Sequence, residues 1–257
     1  MAAVVRSTWV QGEVLTNHQW TARLFSLRIK APLMPFKAGQ FVRLQLPIEQ
    51  GGKSVLVAKP YSLLNPPDDT DVAEIFYNTV PGGVLSQALA MLHSGDIVDV
   101  SQPASGFFVL DEVPAAQHLW LMATGTGLGP YLSILKTAQD WERFEKVILV
   151  HGVPLRTELV YADLIQAFAT QHPTQFQFIS CVSRDTNPNG LEGRMTTHLA
   201  SGALERKAGV SINPSTTHVM LCGNHNMLND MKNSLSERGL QRHLRHKPGH
   251  ITTEQYF

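Results

Sequence analysis

The residues best placed to do chemistry form a glycine turn, Thr124-Gly125-Thr126-Gly127-Leu128-Gly129-Pro130. It separates the apolar run Leu119–Ala123 from a second apolar segment at helical spacing (Tyr131, Leu132, Ile134, Leu135). This pattern reads as a buried strand, a tight turn and a helix entered through proline in its first turn. Glycine lets backbone approach a ligand closely, and a helix start offers N–H groups to an anion. The stretch therefore points to a phosphate-bearing ligand such as a nucleotide, with an ordinary strand-to-helix turn as the plain alternative. Pro130 stands where G-x-G-x-x-G has its third glycine, so the dinucleotide fingerprint of that form is not met. Other candidates are Lys59-Pro60-Tyr61-Ser62, Gly83-Val84-Leu85-Ser86, Ser183-Arg184 and Cys222-Gly223-Asn224.

The elements that must position these residues follow two different grammars. In the first half, short β-rich or alternating segments predict strands at Ala22–Ile29, Phe41–Leu46, Ser54–Val57, Ala73–Val80 and Ile97–Val100. Gly and Pro punctuate them, and only Leu85–Leu92 reads as a helix. Such spacing suggests an antiparallel β-barrel. In the second half, strands at Leu119–Ala123, Val147–Val150, Phe176–Val182 and His218–Cys222 alternate with helices near Pro130–Asp140, Leu159–Gln171, Met195–Lys207 and Asn226–Arg238. Alternation of this kind predicts an α/β domain with a parallel sheet. The period changes in Leu110–Gln117, which sets domains at 1–112 and 113–257. Open α/β sheets bind ligands beyond the carboxyl ends of their strands. The glycine turn, Ser183-Arg184 and Cys222-Gly223-Asn224 all fall at such ends.

Composition excludes several classes. Lys+Arg and Asp+Glu both number 21 in 257 residues, so no overall basic field suits nucleic acid or an anionic membrane. The 2 cysteines, Cys181 and Cys222, cannot supply a four-thiolate iron–sulfur or zinc site. No apolar segment has membrane-spanning length and no signal peptide is visible, so the reading expects a cytoplasmic protein. Asp185-Thr186-Asn187-Pro188-Asn189-Gly190 imitates a calcium loop, but its twelfth position is Thr196 and Pro188 intrudes. No metal is expected.

Taken together and in order, Lys59-Pro60-Tyr61-Ser62, Gly83 to Ser86, the turn at Gly125–Pro130 and Cys222-Gly223 resemble the ferredoxin–NADP reductase family. The bacterial ferredoxin/flavodoxin reductases are the nearest form, and the resemblance runs through Ala104–Val113 and Lys247–Phe257. It implies an FAD-binding barrel followed by an NADP(H)-binding α/β domain whose C-terminal extension returns to the flavin. It also implies hydride exchange between nicotinamide C4 and flavin N5, then single-electron exchange with ferredoxin or flavodoxin.

Residue by residue, the resemblance places Tyr61 on the flavin ring and Ser62 beside N5, with Pro60 between that tyrosine and Lys59. Lys59 stands where the family usually has arginine facing the FAD pyrophosphate, which keeps the charge and loses the bidentate fork. Phe76, Tyr77 and Asn78 run along the flavin and ribityl chain, and Gly83, Val84, Leu85 and Ser86 receive the pyrophosphate. Thr126 faces both flavin and dinucleotide, Gly125, Val153, Gly223 and Asn224 fall to the dinucleotide, and Ser183, Arg184 and Arg194 to its 2′-phosphate. Many relatives carry arginine where this chain has Pro154, with Arg156 two residues on. Cys222 lies beside the nicotinamide, Glu254 is a polar candidate near the flavin, and Tyr256 and Phe257 cover cofactor rings. Ser62, Cys222 and Glu254 are the catalytic candidates; no strong acid or base is required. A free-flavin, quinone or oxygenase-component reductase is the alternative within the superfamily. A non-catalytic nucleotide-binding subunit and a metabolite dehydrogenase lie outside it. A monomer is expected.

Overall fold

The computed structural model describes residues 7–137 and 141–255. These fall into two compact units, one within Met1–Val109 and Gly129–Thr137, the other within Leu110–Leu128 and Ala138–Phe257.

The first unit is an antiparallel sheet of β1 (Thr8–Gln19), β2 (Leu24–Lys30), β3 (Phe41–Gln50), β4 (Lys53–Ser62), β5 (Val72–Asn78) and β6 (Ile97–Gln102). Their order is β4-β3-β6-β1-β2-β5. A bridge between Leu63 and Ile75, with the Leu64 amide donating to the Glu74 carbonyl at 2.8 Å, ties the two edges together. The expected barrel is thus closed over part of its length. Alternate residues Val42, Leu44 and Leu46 on β3 and Ala73, Ile75 and Tyr77 on β5 face its core. Helix α1 (Val84–Ala90) adds Leu85 and Leu89 to the same core.

Sequence reading found five of these strands and missed β1, the strand that pairs with both β2 and β6. Its side chains alternate poorly because most are polar and the register shifts between Val14 and Thr16. Gly12 at its middle is dictated by packing: a Cβ there would lie 2.4 Å from the Ile29 methyl.

The second unit is a parallel sheet of β7 (His118–Thr124), β8 (Lys146–Val153), β9 (Phe176–Val182), β10 (Leu191–Glu192), β11 (Thr217–Gly223) and β12 (Ile251–Gln255). Their order is β10-β9-β8-β7-β11-β12; the strand–helix alternation predicts the parallel sheet and its strands β7, β8, β9 and β11, but not β10 and β12. One face, with Trp120, Met122, Ile148, Val150, Ile179, Cys181, Val219 and Leu221, packs on α4 (Met195–Ala200), α5 (Ala203–Ala208) and α6 (His225–Glu237). The helix expected over Met195–Lys207 is broken in two because Gly202 adopts φ +69°. Helix α3 (Ala162–Gln171) takes the other face, where Phe168 meets Phe176 at 6.0 Å.

Helix α2 (Gly129–Lys136), which follows the glycine turn, groups with the strand-rich unit. Ser133 donates to the Asn65 carbonyl at 2.7 Å, Lys136 pairs with Glu74 at 3.3 Å, and Tyr131 meets Phe108 at 5.6 Å. The expected helix ran to Asp140; Ala138–Asp140 lie outside the described residues.

Candidate functional site

In the barrel unit, antiparallel pairing sets Tyr61 opposite Val42 and Ser62 opposite Phe41. Lys59 and Pro60 are exposed, Tyr61 is half-buried and Ser62 is buried. The Tyr61 ring stands edge-on to Tyr77 at 6.2 Å, and Tyr77 stacks on Phe25 at 5.5 Å. Tyr77 donates its hydroxyl to Asn17 Oδ1 at 3.2 Å, while the Asn17 amide donates to the Leu89 and Leu92 carbonyls. Asn17 thus couples the aromatic row to the end of α1, a role with no signal in the sequence. Burial pushes the Tyr61 hydroxyl up to about 12 and raises that of Tyr77 as well. Tyr77 is a core residue that backs Tyr61, whereas Phe76 lies on the opposite face of β5, toward Gly129 of α2. Asn78 ends the strand half-buried.

Gly83 opens α1 without a side-chain cap, and no acid stands in the first turn. Ser86 does not offer its hydroxyl outward: it donates to the Gly83 carbonyl at 3.0 Å and accepts from the Val80 amide at 3.1 Å. The serine holds the turn, leaving the early N–H groups of Val84 and Leu85 for an anion. A supported aromatic, a lysine on the same strand and an acid-free helix start fit a flavin with its pyrophosphate.

In the α/β unit, parallel strands end along one edge, and most of the remaining candidates gather there. Thr124 registers with Gly152, Ala123 with both His151 and Cys222, and Val153 with Val182. Gly125, Thr126, Ser183, Arg184 and Asn224 follow these ends directly, Gly223 is the last residue of β11, and Cys222, fully buried, faces Glu254 across β11 and β12. Arg194 caps α4 just beyond β10. The edge is close-packed at backbone level. A Cβ on Gly127 would lie 2.5 Å from the Cys222 carbonyl oxygen, and one on Gly223, at φ +148°, 2.0 Å from Thr124 Oγ1. Thr124 Oγ1 accepts from the Asn224 amide at 3.2 Å, and Asn224 caps α6 by accepting from the Met227 amide at 2.9 Å.

Two loops of this edge are joined. The Ser183 amide donates to the Val153 carbonyl at 3.0 Å and the Arg184 amide to the Pro154 carbonyl at 2.8 Å. Asp185 accepts from the Arg156 amide at 3.3 Å. Below them, buried Asn187 donates to Ser180 Oγ and to the Ser180 and Leu191 carbonyls. The calcium-like sequence Asp185–Gly190 is therefore a side-chain-pinned turn. Arg156, Arg184 and Arg194 are all exposed. Exposed guanidinium groups beside a serine on neighbouring loops suit a dianion. Tyr256 and Phe257 lie outside the described residues.

Sequence reasoning also missed His151. It is buried beneath the glycine turn, and its Nε2–H donates to the Gly125 carbonyl at 3.0 Å. Burial pulls its pKa down to about 4. Among the described residues its Nδ1 meets no hydrogen-bond partner.

The two halves of the chain match two family models, the oxidoreductase FAD-binding domain over residues 12–108 and the oxidoreductase NAD-binding domain over residues 121–233. This defines the class: a two-domain flavin- and pyridine-nucleotide-type oxidoreductase. The chain is 44% identical over 250 residues to a flavodoxin/ferredoxin–NADP reductase of Escherichia coli, covering 97% of this chain and 99% of that one. It is 35% identical to a ferredoxin–NADP reductase of Pseudomonas aeruginosa, covering 95% and 96%. A crystal structure of a ferredoxin NADP+ reductase from Neisseria gonorrhoeae with bound FAD and NADP matches with a TM-score of 0.89 at 30% identity, covering 97% and 99%. The chain belongs to the flavodoxin/ferredoxin–NADP reductase family.

Proposed function

We infer that this protein is an FAD-dependent reductase that exchanges a hydride with NADP(H) and single electrons with ferredoxin or flavodoxin. The observation that carries this is the collection of the glycine turn, Ser183-Arg184, Arg194 and Cys222–Asn224 on one sheet edge, in a chain whose other half offers Tyr61 and an open helix start. Bound FAD would take the hydride and release electrons singly, which is chemistry no side chain supplies.

The chain's own residues then bind and align. Tyr61 offers a flat apolar face whose orientation is fixed by Tyr77 and Phe25, so stacking costs little further entropy. Ser62 and Cys222 supply small polar groups for the reacting rings, and Glu254, at the edge of the sheet, adds a polar group. Lys59 and the start of α1 neutralise the FAD pyrophosphate, the lysine acting as a point charge. Ser183, Arg184 and Arg194 hold the 2′-phosphate that distinguishes NADP from NAD. Gly125, Thr126, Val153, Gly223 and Asn224 shape the backbone against the dinucleotide. Tyr256 and Phe257 are assigned to cofactor rings by resemblance alone.

Exposed Arg242, His246 and Lys247, in the segment before β12, make a basic surface for an acidic carrier, with salt-sensitive association. No helix among the described residues is long and apolar enough to cross a membrane. A monomer working in the cytoplasm is the accompanying proposal. The test is anaerobic turnover of the FAD-loaded protein with NADPH and either reduced-carrier formation or free-flavin reduction as readout. Carrier reduction that is fast and weakened by salt is expected. Turnover with free flavin or quinone and no gain from either carrier would overturn the carrier assignment.

A further inference from the structure

The buried histidine under the glycine turn has no place in the function just described, and its surroundings make it costly. A neutral imidazole has one donor and one acceptor nitrogen. In His151 the donor reaches the Gly125 carbonyl at 3.0 Å, and the acceptor Nδ1 has no partner among the described residues. An unsatisfied buried acceptor is destabilising, so an apolar side chain of equal volume would suit packing alone better. What the imidazole secures is the direction of one peptide. Gly125 sits at φ +54°, and a Cβ there would meet nothing within 4 Å. Glycine is therefore present for its conformation, and glycine also adopts the opposite sign of φ readily. With this donor gone, only the short helical turn Gly125–Leu128, whose i→i+3 bonding is weak, holds the Gly125–Thr126 peptide in place.

That peptide is trans, since the one cis bond among the described residues is Gln102–Pro103. In a planar trans peptide the carbonyl and the next N–H point to opposite sides. The Gly125 carbonyl faces the His151 imidazole, so the Thr126 N–H faces away from it. Thr126 is the second residue of the short helical turn Gly125–Leu128, where the first N–H groups have no partner within the turn.

We propose that His151 is a positioning residue: its Nε2–H locks the Gly125 carbonyl inward and so presents the Thr126 N–H to the NADP(H) phosphates. This rests on the reading of the α/β unit as the dinucleotide site. The donor is retained whether the ring is neutral or protonated, so the lock does not depend on pH.

The test measures equilibrium binding of NADP+ to the FAD-loaded protein by calorimetry, without turnover. His151→Met removes the donor at similar volume, and His151→Gln replaces it with an amide N–H of similar reach. The dissociation constant is expected to rise about 10-fold in H151M and to stay within about threefold of wild type in H151Q. Both variants should fold cooperatively and keep the wild-type FAD content. In the wild type, amide exchange at Thr126 should slow when NADP+ is added, a readout that needs no variant to fold. Wild-type affinity in H151M, equal weakening in two folded variants, or unaltered Thr126 exchange in the NADP+-saturated wild type would each overturn the proposal. Failure of the wild type to bind NADP+ at all would overturn the dinucleotide reading itself.

Discussion

The two units build their candidate sites in opposite ways. In the barrel unit the candidate site residues lie within β4 and β5 and at the start of α1, and an aromatic row from Phe25 through Tyr77 to Tyr61 backs them. In the α/β unit they lie just past strand ends, on loops joined by the Ser183–Val153, Arg184–Pro154 and Asp185–Arg156 bonds, with arginines exposed. A wall of packed rings suits a group that stays. A rim of charge on pinned loops suits one that comes and goes. Each unit is therefore vulnerable in a different place, and four perturbations separate them.

Acid has the largest expected effect, and it falls on the α/β unit. Burial lowers His151 to about 4 and His218 to about 3, the latter also facing His243, His250 and Arg143. Both imidazoles stay neutral in the folded unit while the unfolded chain takes up protons below about 6.5. Stability is therefore complete above that pH and is lost as pH falls toward the folded values. Each histidine contributes a slope of about 1.4 kcal/mol per pH unit. Hydrogen exchange from pH 7 to 4 should show the α/β unit opening before the barrel; equal loss in both units would remove this asymmetry.

Gly223→Ala comes next. A Cβ 2.0 Å from Thr124 Oγ1 at φ +148° combines overpacking with backbone strain, together roughly 2–4 kcal/mol. Denaturant unfolding should show the α/β transition moved and the barrel transition unaltered. A shift in both would mean that the two units do not respond separately.

Arg184→Ala removes charge-assisted hydrogen bonds worth about 1.5–3 kcal/mol, hence about 10- to 100-fold in NADPH affinity. NADH binding should be unaffected, and equal loss for both nucleotides would reject the assignment to the 2′-phosphate. The smallest effect is expected of Tyr61→Leu, which keeps bulk but loses the ring: about 0.5–1.5 kcal/mol, read as up to about tenfold weaker FAD retention. NADP+ affinity should not change, and its loss would blur the division of labour.

The same contrast explains what was legible beforehand. The α/β unit reads well because buried parallel strands are continuous apolar runs and their ends are marked by glycine and arginine. Leu119–Ala123 and Phe176–Val182 are found almost as they stand. The barrel reads less well. Its strand β1 is half polar and bulged, so the element that pairs with two neighbours leaves no alternation to detect. Site residues proposed through family resemblance are those with unusual chemistry in a fixed order, such as Tyr61-Ser62 and Cys222-Gly223. Those missed, Asn17, Asp185 and His151, act by bonding backbone 26 to 75 residues away in sequence. Thr124 and Asn224 are 100 residues apart, and no spacing rule joins them.

The central claim is that a flavin-holding barrel and an NADP-selective α/β edge serve one reductase. The most direct measurement is the visible spectrum of the purified protein, followed anaerobically on adding NADPH or NADH. A yellow protein that NADPH bleaches faster than NADH is the predicted result. A protein that cannot retain FAD, or one bleached faster by NADH, would contradict it.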